Sequence, residues 1–262
     1  MYINGSYLYQ LLTIRSLVFL IRLSELFCQP NILAKPGYGI TTETIRRDLD
    51  EMTEKGLLER THGGAILHMK QEPGLNIRHN MLVREREEIA RWTVREIKGA
   101  KHLMIGSGAT TVHIARRIAS DLKNITAIVH SFGVASELSH NPTIDVIMAP
   151  GHYDSGEGAN HGVHTLSFLE NFWVDYAILG ASGLDPEGPC EALIDAGAVY
   201  SRMISRAFQT IIAADKTKYG MKFPSRFAGW NDIDMLIVDE PPPGDLKINL
   251  AQKGVAVRIA AR

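Results

Sequence analysis

The sequence is poor in cysteine, and it has neither an excess of positive charge nor a long apolar run. Its 262 residues include only two cysteines, Cys28 and Cys190, which are too few for a disulfide framework. Neither lies near a histidine at metal-ligand spacing, so we predict no metal site and a reducing, cytoplasmic location. The formal net charge of −1 excludes a chain that is basic throughout. A nucleic-acid-binding surface is compatible with this balance if it is confined to a small domain.

The most apolar segment covers residues 7–27, but Arg15, Arg22 and Glu25 interrupt it. A membrane-spanning helix needs about 20 predominantly apolar residues, and an arginine at its centre costs about 2.5 kcal/mol or more. The segment also lacks the basic start and the small-residue cleavage site of a signal peptide. We therefore predict a soluble helix here and no membrane partner.

Residues 41–55 read TTETIRRDLDEMTEK and have the apolar spacing of an amphipathic helix. Thr41 is a suitable N-cap, and Ile45, Leu49 and Met52 recur at intervals of four and three residues. A glycine ends this helix, and the segment LLERTHGGAILH follows it. Two short apolar runs around a glycine pair predict a β-hairpin there.

Polar and basic side chains crowd the start of this helix, as they do in helices that read the major groove. Arginine can bind a guanine edge or a phosphate, and threonine can donate to a phosphate. The hairpin and its glycine backbone can reach the flanking DNA. From periodicity alone, an exposed helix with solvated charges is the simpler interpretation. The predicted DNA-binding residues are Thr41, Thr42, Thr44, Arg46, Arg47, Arg60, His62, Gly63 and Gly64.

The segment TIRRDLDEMTEKGLLERTHGGA resembles the signature of the DeoR family of bacterial repressors. The resemblance implies that residues 41–55 are the recognition helix of a winged helix-turn-helix domain and that residues 57–67 are its wing. We assign residues 1–70 to this domain. Residues 1–40 are atypical of the family, because Pro36-Gly37-Tyr38-Gly39 would break a helix there.

From Lys101 onwards, short apolar strands alternate with glycine turns and helices, and a helix of about residues 84–97 precedes them. Such alternation predicts a parallel sheet that is covered on both faces. We predict an α/β domain over residues 84–262, joined to the first by a polar linker of residues 71–83. The resemblance implies a Rossmann-like sensor fold similar to ribose-5-phosphate isomerase. The predicted strands lie at residues 103–105, 127–129, 145–148, 176–179, 211–214 and 235–238.

A glycine-rich turn joins the first of these strands to a helix. Such a turn can bind a phosphate through free N–H groups at the helix N-terminus, although α/β proteins also need such turns merely to pack. The loops after the other strands should open at the same edge of the sheet. Lys218 can pair with a phosphate there, and Glu191 is a further candidate for the lining. The predicted effector-binding residues are Gly106, Ser107, Gly108, Ala109, Thr110, Thr111, His130, Ser182, Gly183, Asp185 and Lys218.

The resemblance extends to the end of the chain, with changes in the first loop. DeoR-type sensors commonly have Asp-x-Gly-Thr-Thr there, and Gly106 and Ala109 replace the aspartate and the first threonine. Ribose-5-phosphate isomerases have Gly-Ala-Asp-Glu where this sequence has Gly180-Ala181-Ser182-Gly183. Proton transfer between sugar carbons needs a positioned carboxylate, and Ser182 and Gly183 cannot supply one. We therefore predict no catalytic residue and no cofactor.

Together these features predict a DNA-binding transcriptional repressor of a sugar or carbohydrate catabolic operon, released or modulated by a phosphorylated sugar. Its predicted partners are double-stranded operator DNA, the sugar phosphate and further copies of the chain, as a dimer or tetramer. Two alternatives stay open. One is a sugar-phosphate isomerase-like enzyme in which Asp185 or Glu191 would be the base. The other is an effector-binding protein with an impaired DNA-binding domain.

Overall fold

The computed structural model describes Arg47, Asp50, Glu72 and the ranges 58–61, 64–67 and 74–260. The chain divides into two units, Met1–Met69 and Lys70–Arg262. The apolar segment of residues 7–27 and the breaker cluster at residues 36–39 lie outside the described residues. In the described part of the chain, no helix combines the length and the apolarity that crossing a bilayer requires.

In the first unit, the described residues agree with the predicted helix and hairpin. Arg47 and Asp50 are helical and exposed. The strands β1 (Leu58–Thr61) and β2 (Gly64–Leu67) pair antiparallel, with Thr61 opposite Gly64. The two strands thus form the antiparallel pair that the sequence predicts, with Gly64 in β2.

The second unit is an α/β fold whose elements alternate along the chain. Each face of its main sheet carries helices, as the alternation of strands and helices predicts. The elements are α1 (Leu75–His79), α2 (Val83–Glu96), β3 (His102–Ile105), α3 (Ala109–Asp121), β4 (Ile125–Val129), α4 (Phe132–Leu138), β5 (Ile144–Met148), β6 (His152–Asp154), β7 (Ala159–His161), α5 (Val163–Leu169), β8 (Val174–Leu179), β9 (Gly183–Asp185), β10 (Gly188–Glu191), α6 (Ile194–Ile204), β11 (Ala207–Ala214), β12 (Ser225–Arg226), β13 (Met235–Val238), α7 (Gly244–Gln252) and β14 (Ala256–Ile259).

The main sheet is parallel and has seven strands in the order β14-β13-β11-β8-β3-β4-β5. From β3 the chain moves outward through β4 to β5, and it then returns to place β8 on the other side of β3. The loops that follow β3 and β8 therefore leave the sheet in opposite directions. Parallel α/β sheets bind ligands in the crevice that forms at such a reversal.

The residues of β3 alternate between two hydrophobic cores, one on each face of the sheet. Leu103 and Ile105 pack in the core that contains Ile114 of α3, and Met104 packs in the core that contains Tyr200 of α6. All five side chains are buried. Since successive side chains of a strand point to opposite faces, the apolar run Leu-Met-Ile is explained by burial on both sides.

Two segments contain more regular structure than the sequence predicts. The predicted linker, residues 71–83, contains α1, which has only five residues and is too short to show helical periodicity. After Pro241-Pro242-Pro243, α7 and β14 add a further strand at the sheet edge. All four residues of β14 are half-buried and one of them is Arg258, so the strand lacks the apolar run that marks the central strands.

Gly106 follows β3 at a point where the chain packs closely against α6. An added Cβ would lie 2.9 Å from Cε1 of Tyr200 and 3.1 Å from Cδ2 of Leu179. We expect Gly106→Ala to lower the free energy of unfolding by about 1–3 kcal/mol, because both neighbours are buried and cannot move freely. Urea unfolding measures the change. Gly229→Ala is the matched control, since its nearest contact would be 3.6 Å away; equal stability of the two variants would contradict the prediction.

Candidate functional site

A cavity lies at the crevice where the loops after β3 and β8 separate. Its volume is about 30 Å³, which is roughly the space for one water molecule. Segments from distant parts of the second unit meet there. The lining residues are Glu72, Arg78, Ser107, Gly108, Ala109, Thr110, Thr111, Glu157, Gly180, Ala181, Ser182, Glu191, Tyr200 and Lys218.

The N-terminus of α3 forms one wall of this cavity. The N-cap residue is Gly108, whose φ of +115° is unfavourable for other residues and which has no side chain to accept a hydrogen bond. The first-turn N–H groups of α3 and the positive end of its dipole therefore suit an anion. Thr111 donates its hydroxyl to the Gly108 carbonyl at 2.9 Å. The Tyr200 hydroxyl donates to the Ser107 carbonyl at 2.8 Å and lies 3.1 Å from the Ser107 hydroxyl.

Two cations reach the cavity, and one buried ion pair positions both. Lys218 lies in a turn that follows β11, where an oxygen of Asp215 accepts the N–H of Thr217 at 3.1 Å. Arg86 donates to the other carboxylate oxygen of Asp215 at 3.2 Å, and it also donates to the carbonyl oxygen of Arg78. Arg86 and Asp215 are buried. This pair thus ties the helix that carries Arg78 to the turn that carries Lys218.

Carboxylates already contact both cations. Oε1 of Glu72 accepts from Nζ of Lys218 at 2.6 Å and lies 3.5 Å from Nη1 of Arg78. Glu157 forms an ion pair with the other terminal nitrogen of Arg78. Burial works against the charge of Arg78, but Glu72 and Glu157 outweigh it and raise the pKa of the guanidinium. The Glu72 side chain is only 7% exposed, although it belongs to the predicted linker.

The Ser182 hydroxyl lies between two carboxylates, those of Glu72 and Glu191. A hydroxyl donates one proton, so it cannot donate to both at once. Burial, and then the neighbouring Glu72, raises the pKa of Glu191 to about 7. A protonated Glu191 can donate to Ser182 while Ser182 donates to Glu72, and this arrangement satisfies all three groups.

The structure brings seven of the predicted effector-binding residues together, and they are residues 107–111, Ser182 and Lys218. Gly106 lies behind the cavity wall, against Tyr200. Gly183 lies in β9, where an added Cβ would collide with the carbonyl oxygen of Met221 at 2.1 Å. These two glycines therefore serve backbone packing.

His130 and Asp185 also lie outside the lining. His130 is fully buried and its Nδ1 is 2.9 Å from the Asn160 carbonyl oxygen. Burial lowers the pKa of His130 to about 4, so the ring is neutral and offers no positive charge to a phosphate. Asp185 accepts the N–H groups of Glu187 and Gly188 at 2.7 and 3.1 Å and stabilises the turn between β9 and β10.

Sequence reasoning missed Glu72, Arg78, Glu157 and Tyr200 as lining residues. Arg78 and Tyr200 lie within helices, Glu72 lies in the predicted linker, and Glu157 lies in the turn between β6 and β7, two short strands that the sequence does not predict. Among the described residues, no group of three or more histidine, cysteine, aspartate or glutamate side chains is placed to hold a metal ion.

The predicted DNA-binding residues fall mostly outside the described part of the first unit. Arg47 is exposed on a helix, Arg60 lies in β1 and Gly64 begins β2. The residues outside the described part are Thr41, Thr42, Thr44, Arg46, His62 and Gly63.

Family models match both units of the chain. The DeoR C terminal sensor domain matches residues 82–240, and the DeoR-like helix-turn-helix domain matches residues 34–71. The glycerol-3-phosphate regulon repressor of Escherichia coli is 29% identical over 209 residues, which are 79% of this chain and 82% of that protein. The transcriptional repressor GlcR of Bacillus subtilis is 28% identical over 206 residues, which are 78% of this chain and 79% of that protein.

Solved structures match about half of the chain at low similarity. One of them, ribose 5-phosphate isomerase A from Neisseria gonorrhoeae, matches with a TM-score of 0.38 and 16% sequence identity, over 52% of this chain and 54% of that chain.

The raised pKa of Glu191 makes the stability of the second unit depend on pH. The folded state holds this proton more tightly than the unfolded state, in which the pKa is near 4.5. The contribution of Glu191 to stability is thus complete below about pH 4.5 and is lost as the pH rises through about 7. We expect Glu191→Gln to be more stable than the wild type at pH 8, by roughly 1–3 kcal/mol, and nearly equal to it at pH 4.5.

Thermal unfolding at the two pH values tests this expectation. Glu187→Gln, which changes an exposed carboxylate paired with Arg226, is the control and should not raise the melting temperature at pH 8. A Glu191→Gln variant with the same effect at pH 4.5 and pH 8 would contradict the prediction.

Proposed function

This chain belongs to the DeoR family of transcriptional regulators, and we propose that it represses a sugar or carbohydrate catabolic operon under the control of a phosphorylated sugar. It is a regulator and not an enzyme. The curated relatives are themselves repressors, and one is named for the glycerol-3-phosphate regulon. We place the protein in the cytoplasm, where both the operator and a phosphorylated sugar are available.

The observation that carries the effector site is the convergence of Lys218, Arg78 and the N-terminus of α3 at the reversal point of the sheet. A phosphate prefers this combination of donors. Arginine binds it through two parallel N–H groups, lysine contributes a point charge, and a helix N-terminus adds backbone N–H groups. Two of these three elements are nearly buried, which strengthens their interaction with a charged ligand.

The rest of the lining suits the hydroxyl groups of a sugar. Glu157 and Glu191 offer carboxyl oxygens, and Ser182 and Tyr200 offer hydroxyls, within the same cavity. Carboxylates accept hydrogen bonds from sugar hydroxyls, and a hydroxyl or a protonated carboxyl both donates and accepts. We therefore propose a small phosphorylated polyhydroxyl compound as the effector.

For the DNA-binding part, we propose that residues 41–55 enter the major groove and that the hairpin of β1 and β2 contacts the flanking backbone. The proposed contacts are those of the predicted DNA-binding residues. We further propose a homo-oligomer, because paired heads would bind repeated or palindromic half-sites. The effector changes operator affinity only by its difference in affinity for the two states of the protein.

The first test is a gel-shift titration on the DNA upstream of the protein's own gene, with and without a panel of sugar phosphates that includes glycerol 3-phosphate. We expect at least one compound to change the affinity for DNA. In Lys218→Ala the active compound should bind about 10–100-fold more weakly, because one charge-assisted hydrogen bond is lost. Lys216→Ala is the control, since Lys216 pairs with Glu240 outside the cavity. The effector proposal fails if no sugar phosphate acts, or if both lysine variants respond as the wild type does.

The second test concerns the recognition helix. We expect Arg47→Ala to weaken DNA binding by about 1–3 kcal/mol if Arg47 reads a base, or to lower the salt slope of binding by about one if it contacts a phosphate. Fluorescence anisotropy over a range of salt concentrations distinguishes the two contacts. Arg117→Ala removes an exposed arginine of the second unit and should leave DNA affinity unchanged. Unaltered affinity and salt slope in Arg47→Ala would remove Arg47 from the proposed interface.

A further inference from the structure

Glu72 belongs to the segment that joins the two units, yet its carboxylate lies inside the cavity. It contacts Lys218 at 2.6 Å, Arg78 at 3.5 Å and the hydroxyl of Ser182. Lys218 and Arg78 are the two cations that we expect to hold the phosphate of the effector. Carboxylates and phosphates use the same donors, so Glu72 occupies the anion subsite as a ligand would.

With Glu72 in place, the cavity cannot hold a phosphorylated sugar. The free volume is about 30 Å³, roughly the space for one water molecule, and a phosphate group with its four oxygens is larger than that. If the carboxylate moves away, the cavity becomes larger, and Lys218 and Arg78 become available to a ligand. The structure therefore shows a site that is filled by the protein's own side chain.

The contacts of Glu72 are opposed by neighbouring charge. Three carboxylates and two cations line the cavity, so Glu72 is attracted by Lys218 and Arg78 and repelled by Glu157 and Glu191. Burial raises the pKa of Glu191, and the charge of the nearby Glu72 raises it further. A phosphate would also accept hydrogen bonds from the backbone N–H groups of α3. Its attraction to the site can therefore exceed the net attraction of the Glu72 carboxylate.

We propose that Glu72 is a tethered competitor of the effector, and that the phosphate displaces its carboxylate from Lys218 and Arg78 and frees the segment leading to the DNA-binding head. This inference rests on the function proposed above. Only residues 68–71 lie between β2 and Glu72 in the sequence, so Glu72 belongs to the segment that leads to the DNA-binding head. Effector binding and the Glu72 contacts then exclude one another, and this exclusion is the proposed coupling of the effector to DNA affinity.

Calorimetric titration with inorganic phosphate at constant ionic strength tests the competition. We expect Glu72→Gln to bind phosphate about tenfold more tightly than the wild type. This factor corresponds to a wild-type population in which the Glu72 carboxylate is out of the site in about one molecule in ten. Glu72→Asp should lie between the two, since its carboxylate is one methylene shorter. Glu240→Gln makes the same charge change outside the cavity, near Lys216, and should bind as the wild type does.

Hydrogen exchange of the peptide covering residues 68–80 tests the release. Phosphate should speed its exchange in the wild type, and in Glu72→Gln the exchange should already be fast and no longer respond. Suppose that phosphate binding is lost in Lys218→Ala but unchanged in Glu72→Gln, and that phosphate does not change the exchange of residues 68–80. This result would overturn the tethered competitor and leave the proposed function standing. Binding to neither the wild type nor Glu72→Gln would overturn both.

Discussion

The buried ion pair of Arg86 and Asp215 is the contact on which the sensor site depends. Arg86 lies in the first turn of α2, Asp215 directly follows β11, and their buried side chains meet at 3.2 Å. Burying two charges is unfavourable unless their other hydrogen-bonding atoms find partners. Here the guanidinium also donates to the Met81 carbonyl at 2.7 Å, and the second oxygen of Asp215 caps the turn before Lys218. The same backbone segments that present the two cations of the cavity therefore satisfy most of the pair, while Nε of Arg86 is buried without a hydrogen-bond partner.

The altered first loop has a structural explanation on α6. Gly106 stands where DeoR-type sensors commonly have an aspartate, and the ring of Tyr200 packs against the place where a side chain would be. The Tyr200 hydroxyl then holds Ser107 through its carbonyl oxygen. Carboxyl groups are still present in the cavity, but they come from Glu157 and Glu191. The carboxyl oxygens of the cavity thus come from the opposite walls and not from the first loop.

Sequence reasoning found the parts of the site that a single segment encodes. The loop of residues 107–111 and Lys218 follow apolar strands, and parallel topology brings strand ends to one edge, so both could be placed before any coordinates. Arg78 and Glu157 could not, because α1 has five residues and Glu157 lies in the turn between two three-residue strands. Periodicity describes one element at a time, whereas these side chains meet only through tertiary packing. His130 was placed at the right strand end, but its ring turns into the core, and no pattern in the sequence predicts that direction.

A sensor must be close to balance if a small ligand is to change its state. The charges of the cavity meet this requirement. The two cations form ion pairs with Glu72 and Glu157, whereas Glu191 has no cation partner among the described residues and has a pKa of about 7. A difference of a few kcal/mol between two states is enough to move a population from one to the other. A cavity lined only by cations would bind phosphate more tightly, but it would hold no internal anion to release. Under the proposed competition, the excess of acidic side chains, which is unfavourable for a phosphate site, would allow binding to be converted into movement of the chain.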